Sequence, residues 1–183
     1  RLVGSEMCIR DRFNSLNTLR SLVRENQDKA QDYIQELSRV LRYTLQDNES
    51  QSVTLREELE FASAYIFLLK MRYENNLQFD IQTDKALEEY RVPPMSIQML
   101  IENAVKHNEI SNRKPLTIHI TTNKKEEKLS VSNAIQPKWT ATPGTGIGLV
   151  NLAKRYRLLF KQDIQITEDE EFTVCIPLID EKQ

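Results

Sequence analysis

The stretch LIENAVKHN, residues 100–108, sets two patterns on one helical period. Leu100, Ile101, Ala104 and Val105, with Ile97 one turn earlier, form a stripe that a helix of about 3.6 residues per turn buries against a neighbouring layer. Glu102, Asn103, Lys106 and His107 fall on the other face. A merely solvated face favours Lys and Glu and seldom gives a central position to asparagine, a poor helix former. One reading of this face is an i,i+4 pair of Glu102 with Lys106 beside a satisfied asparagine, worth roughly a few tenths of a kcal/mol. The other is a site for a metal-bound polyphosphate. In it the Asn103 amide oxygen serves Mg2+, Lys106 and His107 face phosphate oxygens, and Glu102 orders water or accepts a proton.

Three of the chain's four glycines, Gly144, Gly146 and Gly148, fall in GTGIG at the mouth of a helix expected over Leu149 to Phe160. Glycine lets backbone N–H groups line a concavity, and a helix N-terminus adds a field favourable to anions. A dinucleotide fingerprint does not fit, because no strand immediately precedes the loop and the spacing is GxGxG. A Walker A loop does not fit either, since Gly-Lys-Ser/Thr is missing. A flexible linker would not concentrate the glycine at one helix start, so the loop points to phosphate.

Outward from this centre, the N-terminal side is helical. Leu16, Leu19, Val23, Asn26, Ala30, Tyr33, Leu37, Val40 and Thr44 alternate steps of three and four, predicting one long helix from Phe13 to Gln46. DNESQS makes a turn, and Thr54 with Glu57 supplies a capping box for a second helix whose seam runs Leu55, Leu59, Ala62, Ile66, Leu69 and Tyr73. The hairpin so formed either props the next domain or dimerises as half of a four-helix arrangement. Residues 1–12, RLVGSEMCIRDR, carry no period that continues into the helix after them and are expected to be a non-native leader.

After Asn76 the period switches to two. Strands are expected at Leu77/Phe79/Ile81, Leu116/Ile118/Ile120, Leu129/Val131, Ile164/Ile166 and Phe172/Val174/Ile176, with a helix from Pro93 to Asn108 between the first two. The expected fold class is α+β. A two-helix hairpin over 13–75 precedes a domain over 76–183 built on a mixed, mainly antiparallel sheet with helices on one face. With 39% hydrophobic residues, 28% charged and a net charge of −2, nothing favours nucleic acid as a partner. No apolar run approaches the roughly 20 residues of a membrane span. Cys8 and Cys175 lack zinc-ligand spacing and suggest neither a metal nor a disulfide scaffold.

LIENAVKHN followed by GTGIGLVNLAKRYRLLF (144–160) resembles the N-box and G2-box of the GHKL ATPase superfamily. FNSLNTLRSLV (13–23) and VTLREELEFASAYIFLLKMRY (53–73) are similar to the LytS-type sensor histidine kinases. The resemblance implies a Bergerat-type α/β sandwich binding ATP and Mg2+. It also implies γ-phosphate transfer to a histidine and then to a response regulator, a homodimer formed through the hairpin, and a cytoplasmic domain of a membrane-anchored parent. It further implies that Asn103 holds Mg2+, that Lys106, His107 and Asn108 lie near the polyphosphate, and that Glu102 orients the attacking group. Gly144, Thr145, Gly146, Ile147, Gly148 and Leu149 would supply the lid's phosphate contacts, with Asn151 at its edge. Two departures stand out. Where the superfamily reads adenine with the Asp of an Asp-x-Gly motif, this chain has Asn133, which loses charge assistance and weakens binding by roughly 1 kcal/mol or more. The acceptor histidine's position is Arg10, so the natural upstream sequence is expected to supply that histidine. The alternative is a degenerate nucleotide-binding and dimerising module without autokinase activity.

Overall fold

A computed structural model describes residues 15–45, 52–138 and 147–180. Residues 15–25 form α1, and α2 is Gln27–Leu45. The single long helix expected here is therefore broken at Asn26, which sits in the seam. Its Oδ1 accepts from Lys29 N–H at 3.0 Å, capping α2, while its own N–H still donates to Leu22 O at 2.8 Å. A short amide competes with the helical ladder for nearby donors, so asparagine in the seam restarts the helix.

Strand β1 (Val53–Thr54) leads into α3 (Leu55–Tyr73), whose start carries the expected capping box. Thr54 Oγ1 accepts from Glu57 N–H at 3.2 Å, and Thr54 N–H donates to Glu57 at 2.8 Å. β1 pairs antiparallel with β3 (Arg91–Val92). The main sheet runs β2 (Leu77–Gln82), β4 (Leu116–Asn123), β5 (Lys128–Ala134), β7 (Glu171–Pro177), β6 (Gln165–Glu168) in that order. Every pair is antiparallel except β2 with β4, where the crossover through α4 (Ser96–His107) returns the chain in the same direction. α5 (Ile147–Phe160) packs beside α4.

Alternation along the strands puts Leu116, Ile118, Ile120, Leu129, Val131, Val174 and Ile176 in the core beneath the helices, together with Leu152 and Tyr156 of α5. The opposite face of the sheet carries a polar row, Asp80, His119, Ser132, Thr173 and Thr167, in cross-strand register. His119 Nδ1 lies 3.2 Å from Asp80 there.

The second half of the hairpin faces the other way from its expected orientation. The stripe Leu55, Ala62, Ile66 and Leu69 does not meet α2; it joins the main core, with Leu59 and Tyr73 packed against it. α2 is met by a different stripe, Phe61, Ala64 and Leu68, which closes on Leu22, Ala30, Tyr33 and Val40. α3 is apolar on two faces and serves two cores. A buried side chain of this size contributes about 1.5–3 kcal/mol, so peeling either face away would cost much of a domain's stability. Leu16, Val23 and Ile34 stay about half exposed on the outer side of α1 and α2. No helix among the described residues is long and apolar enough to cross a membrane.

Candidate functional site

α4 divides as its period demands. Ile97, Leu100, Ile101, Ala104 and Val105 are buried, Asn103 and His107 are half-buried, and Lys106 is exposed. The helix has no side-chain cap from its own N-cap residue: Met95 occupies that position with φ 64° and supplies no acceptor. Glu58 of α3 reaches across instead, accepting from the N–H groups of Met95 at 2.6 Å and Ile97 at 3.1 Å. At the other end, Lys138 Nζ donates to the carbonyls of Val105 and Lys106, both at 2.9 Å, satisfying acceptors that a helix leaves orphaned.

On the polar face, Glu102 accepts from Gln98 Nε2 at 2.7 Å, one turn back. Gln98 is buried, and its Oε1 has no partner among the described residues. The side chains of Asn103, Lys106 and His107 make no hydrogen bond or ion pair among the described residues. Burial, followed by the charges of Lys106 and Lys138, pushes the His107 imidazole below its usual pKa. Near neutral pH this histidine therefore meets a ligand as an uncharged ring, able to donate from one nitrogen and accept at the other.

Asn108, expected at the edge of a nucleotide site, is instead committed to structure. It is buried; its Nδ2 donates to Ala104 O at 2.9 Å and its Oδ1 accepts from Gln136 N–H at 2.9 Å. Glu109 N–H to Gln136 O and Lys138 N–H to His107 O extend the same seam, pinning residues 136–138 onto the end of α4. Asn133 is 2% exposed within β5, on the inner face shared with Leu129 and Val131 and not at a turn; its Nδ2 donates to Ala134 O at 2.8 Å.

Of the glycine loop, Gly144, Thr145 and Gly146 lie outside the described residues. Ile147 begins α5, and Gly148 is the next residue in its first turn. A Cβ on Gly148 would meet nothing within 4 Å among the described residues, so packing against those residues does not require glycine there. Leu149 packs against the main core and Asn151 is exposed. Arg155 Nη1 donates to Pro94 O at 3.1 Å, tying α5 to the start of α4.

Glu58, Gln98 and Lys138 are absent from the sequence-based expectations. Gln98 was findable, being four positions before Glu102 on one helical face; Glu58 and Lys138 act on α4 from distant positions and carry no local signal.

The donor set can be tested for Mg2+ and a polyphosphate. No group of three or more His, Cys, Asp or Glu that could hold a metal occurs among the described residues, so no self-contained cage is present. One amide oxygen unengaged among the described residues fits a cation that keeps most of its water and takes further oxygens from a nucleotide, and the ammonium and imidazole on the same face fit the phosphate oxygens.

The family described as histidine kinase matches residues 12–77. A sensor protein LytS of Staphylococcus epidermidis is 32% identical over 162 residues, 81% of this chain and 27% of that protein. A sensor histidine kinase/phosphatase LytS of Staphylococcus aureus is 40% identical over 102 residues, 56% of this chain and 17% of that protein. The chain thus spans about a quarter of the length of the first of these relatives. A solved bacterial phosphotransferase superposes with a TM-score of 0.50 at 10% identity, covering 95% of this chain and 93% of its own, a likeness of fold alone.

Proposed function

The chain belongs to the histidine kinase family, among the LytS-type sensor kinases, and from this premise we propose that it is the dimerising and ATP-binding part of such a kinase. The observation that carries this reading is the polar face of α4, where the side chains of Asn103, Lys106 and His107 stand unengaged among the described residues, on a helix that packs beside α5. In this reading 13–75 is the hairpin region and 76–183 the catalytic domain.

Bound ATP-Mg would supply the γ-phosphoryl group, which passes to a histidine nitrogen as the bond to the β-phosphate oxygen breaks and ADP leaves. Asn103 offers its amide oxygen to the metal and Lys106 neutralises phosphate charge. His107 donates a hydrogen bond as a neutral ring, and Gly148 leaves the α5 N-terminus open to close approach by phosphate oxygens. Glu102, steadied by Gln98, accepts the proton of an attacking imidazole. Such transfer needs positioning and charge neutralisation more than covalent help. By the family resemblance the acceptor histidine belongs at the position where this chain has Arg10; His107 is assigned here to the site, and His119 pairs with Asp80 on the outer sheet face. Leu16, Val23 and Ile34, exposed on the hairpin, suit a second copy of the chain. A receiver domain of a response regulator then takes the phosphoryl group, and the domain works on the cytoplasmic side of a membrane-anchored parent.

Calorimetry with ATP and Mg2+ tests the proposal. Micromolar binding that Asn103→Ala abolishes supports it. Arg10 and Asn133 favour a second reading, a degenerate nucleotide module acting only by dimer contacts, and absence of heat from both proteins would select it.

A further inference from the structure

Glu58 takes no part in the site just described, yet it is a carboxylate with 0% exposure. It gathers donors from two elements. From α4 come the N–H groups of Met95 and Ile97, at 2.6 and 3.1 Å; from α2 comes the Tyr43 hydroxyl, at 2.8 Å. The Tyr43 ring stacks on Phe61 with centroids 4.1 Å apart, and Phe61 lies one turn beyond Glu58 on α3. The hydroxyl's position is therefore set by how α2 lies on α3.

A helix start exposes orphaned N–H groups and a partial positive charge, both of which a carboxylate answers. α4 has nothing local to do this work, since Met95 is in a left-handed conformation and offers no cap. A carboxylate removed from water is tolerated only while its donors stay in place. Loss of the Tyr43 bond would thus be felt at the α4 start. From Ile97 to Asn103 is about 9 Å along a rigid helix at about 1.5 Å per residue, so a shift at the cap reaches the polar face.

We propose that Glu58 is a positioning residue for the nucleotide site: it seats the helix that presents Asn103, Lys106 and His107, and Tyr43 links that seat to the lie of α2. The inference rests on the ATP-Mg reading of α4 but concerns residues outside the site.

The test uses the whole chain. Tyr43→Phe keeps the stacked ring and the two α4 hydrogen bonds and removes one hydroxyl; Glu58→Gln replaces one acceptor oxygen with an NH2 group that cannot accept. Val40→Ala, in the same α2–α3 core, loosens the packing while keeping the side chains of Tyr43 and Glu58. Amide exchange at Met95 to Met99 and ATP-Mg affinity are measured together with thermal unfolding. Tyr43→Phe and Glu58→Gln are expected to speed exchange in the first turn of α4 and to weaken ATP-Mg binding by about three- to tenfold, the worth of one ordinary hydrogen bond. Val40→Ala, which leaves the Tyr43 hydroxyl in place, should lower the unfolding temperature and move both readouts less than Tyr43→Phe does.

Should Glu58→Gln fail to fold, Tyr43→Phe alone decides. Wild-type exchange in Tyr43→Phe overturns the inference. So does faster exchange with unchanged affinity, and so does an equal weakening by Val40→Ala, which would assign the effect to packing. A wild-type chain that binds no ATP-Mg overturns the proposed function as well, and is recognised because the parent fails and not only the variants.

Discussion

Gly148→Ala separates what glycine does for folding from what it does for a ligand. Gly148 is the second residue of α5, and a Cβ there meets nothing within 4 Å among the described residues. Glycine inside a helix costs about 0.5–1 kcal/mol relative to alanine. In the first turn the gain from alanine should lie at the lower end, about 0.5 kcal/mol, or about 1–2 °C in Tm for a chain of this size. The same methyl would stand where a phosphate oxygen must approach the backbone at the helix start. ATP-Mg affinity is expected to fall about tenfold, or about 1.4 kcal/mol. Thermal unfolding without ligand and calorimetry with ATP and Mg2+ read the two effects separately. A lower Tm would refute the conclusion that the space is open. A raised Tm with undiminished affinity would refute the assignment of Gly148 to phosphate, leaving its glycine without explanation.

The geometry carries three more expected outcomes. The imidazole of unfolded His107 binds its proton near the usual 6.5 and the folded one only at lower pH; its stabilising contribution is complete above 6.5 and is lost as pH falls through the folded value. Urea unfolding of His107→Gln across pH 5 to 7.5 should show a shallower loss of stability on the acid side than wild type, and an unchanged slope would contradict the direction of the shift. Because a polyphosphate beside His107 would draw its pKa back up, ATP-Mg binding near pH 6 should take up protons, seen as a dependence of calorimetric enthalpy on buffer that disappears in His107→Gln. Asn108→Ala leaves Ala104 O and Gln136 N–H without their side-chain partners and should cost about 1–3 kcal/mol in chemical denaturation; near-neutrality would show that the pinning of 136–138 carries no stability.

Much of the fold was legible because its signals are local. The Thr54–Glu57 box, the buried stripe of α4 and the alternation of β4, β5 and β7 each depend on residues within about two turns or a few strand positions of one another, where spacing alone fixes what can meet. Asn103, Lys106 and His107 could likewise be placed together from their spacing. Asn26 marks a limit even of local reading, because an asparagine at a seam position fits the period yet also caps a new helix, and the hydrogen bond to Lys29 chose the second.

The sequence by itself determined the elements, their buried faces and the polar face of α4, since periodicity and capping act within one element. Only the tertiary structure decided which partner each face meets. α3 carries two apolar stripes, and the spacing cannot say that Leu55, Ala62, Ile66 and Leu69 go to the sheet while Phe61, Ala64 and Leu68 go to α2. Nor can it say that Glu58 caps a helix whose N-cap residue lies 37 positions later or that Asn108 serves a seam with Gln136. Those choices depend on how the chain closes around α4, where orphaned backbone groups at both helix ends take whatever donor or acceptor the packing brings within reach.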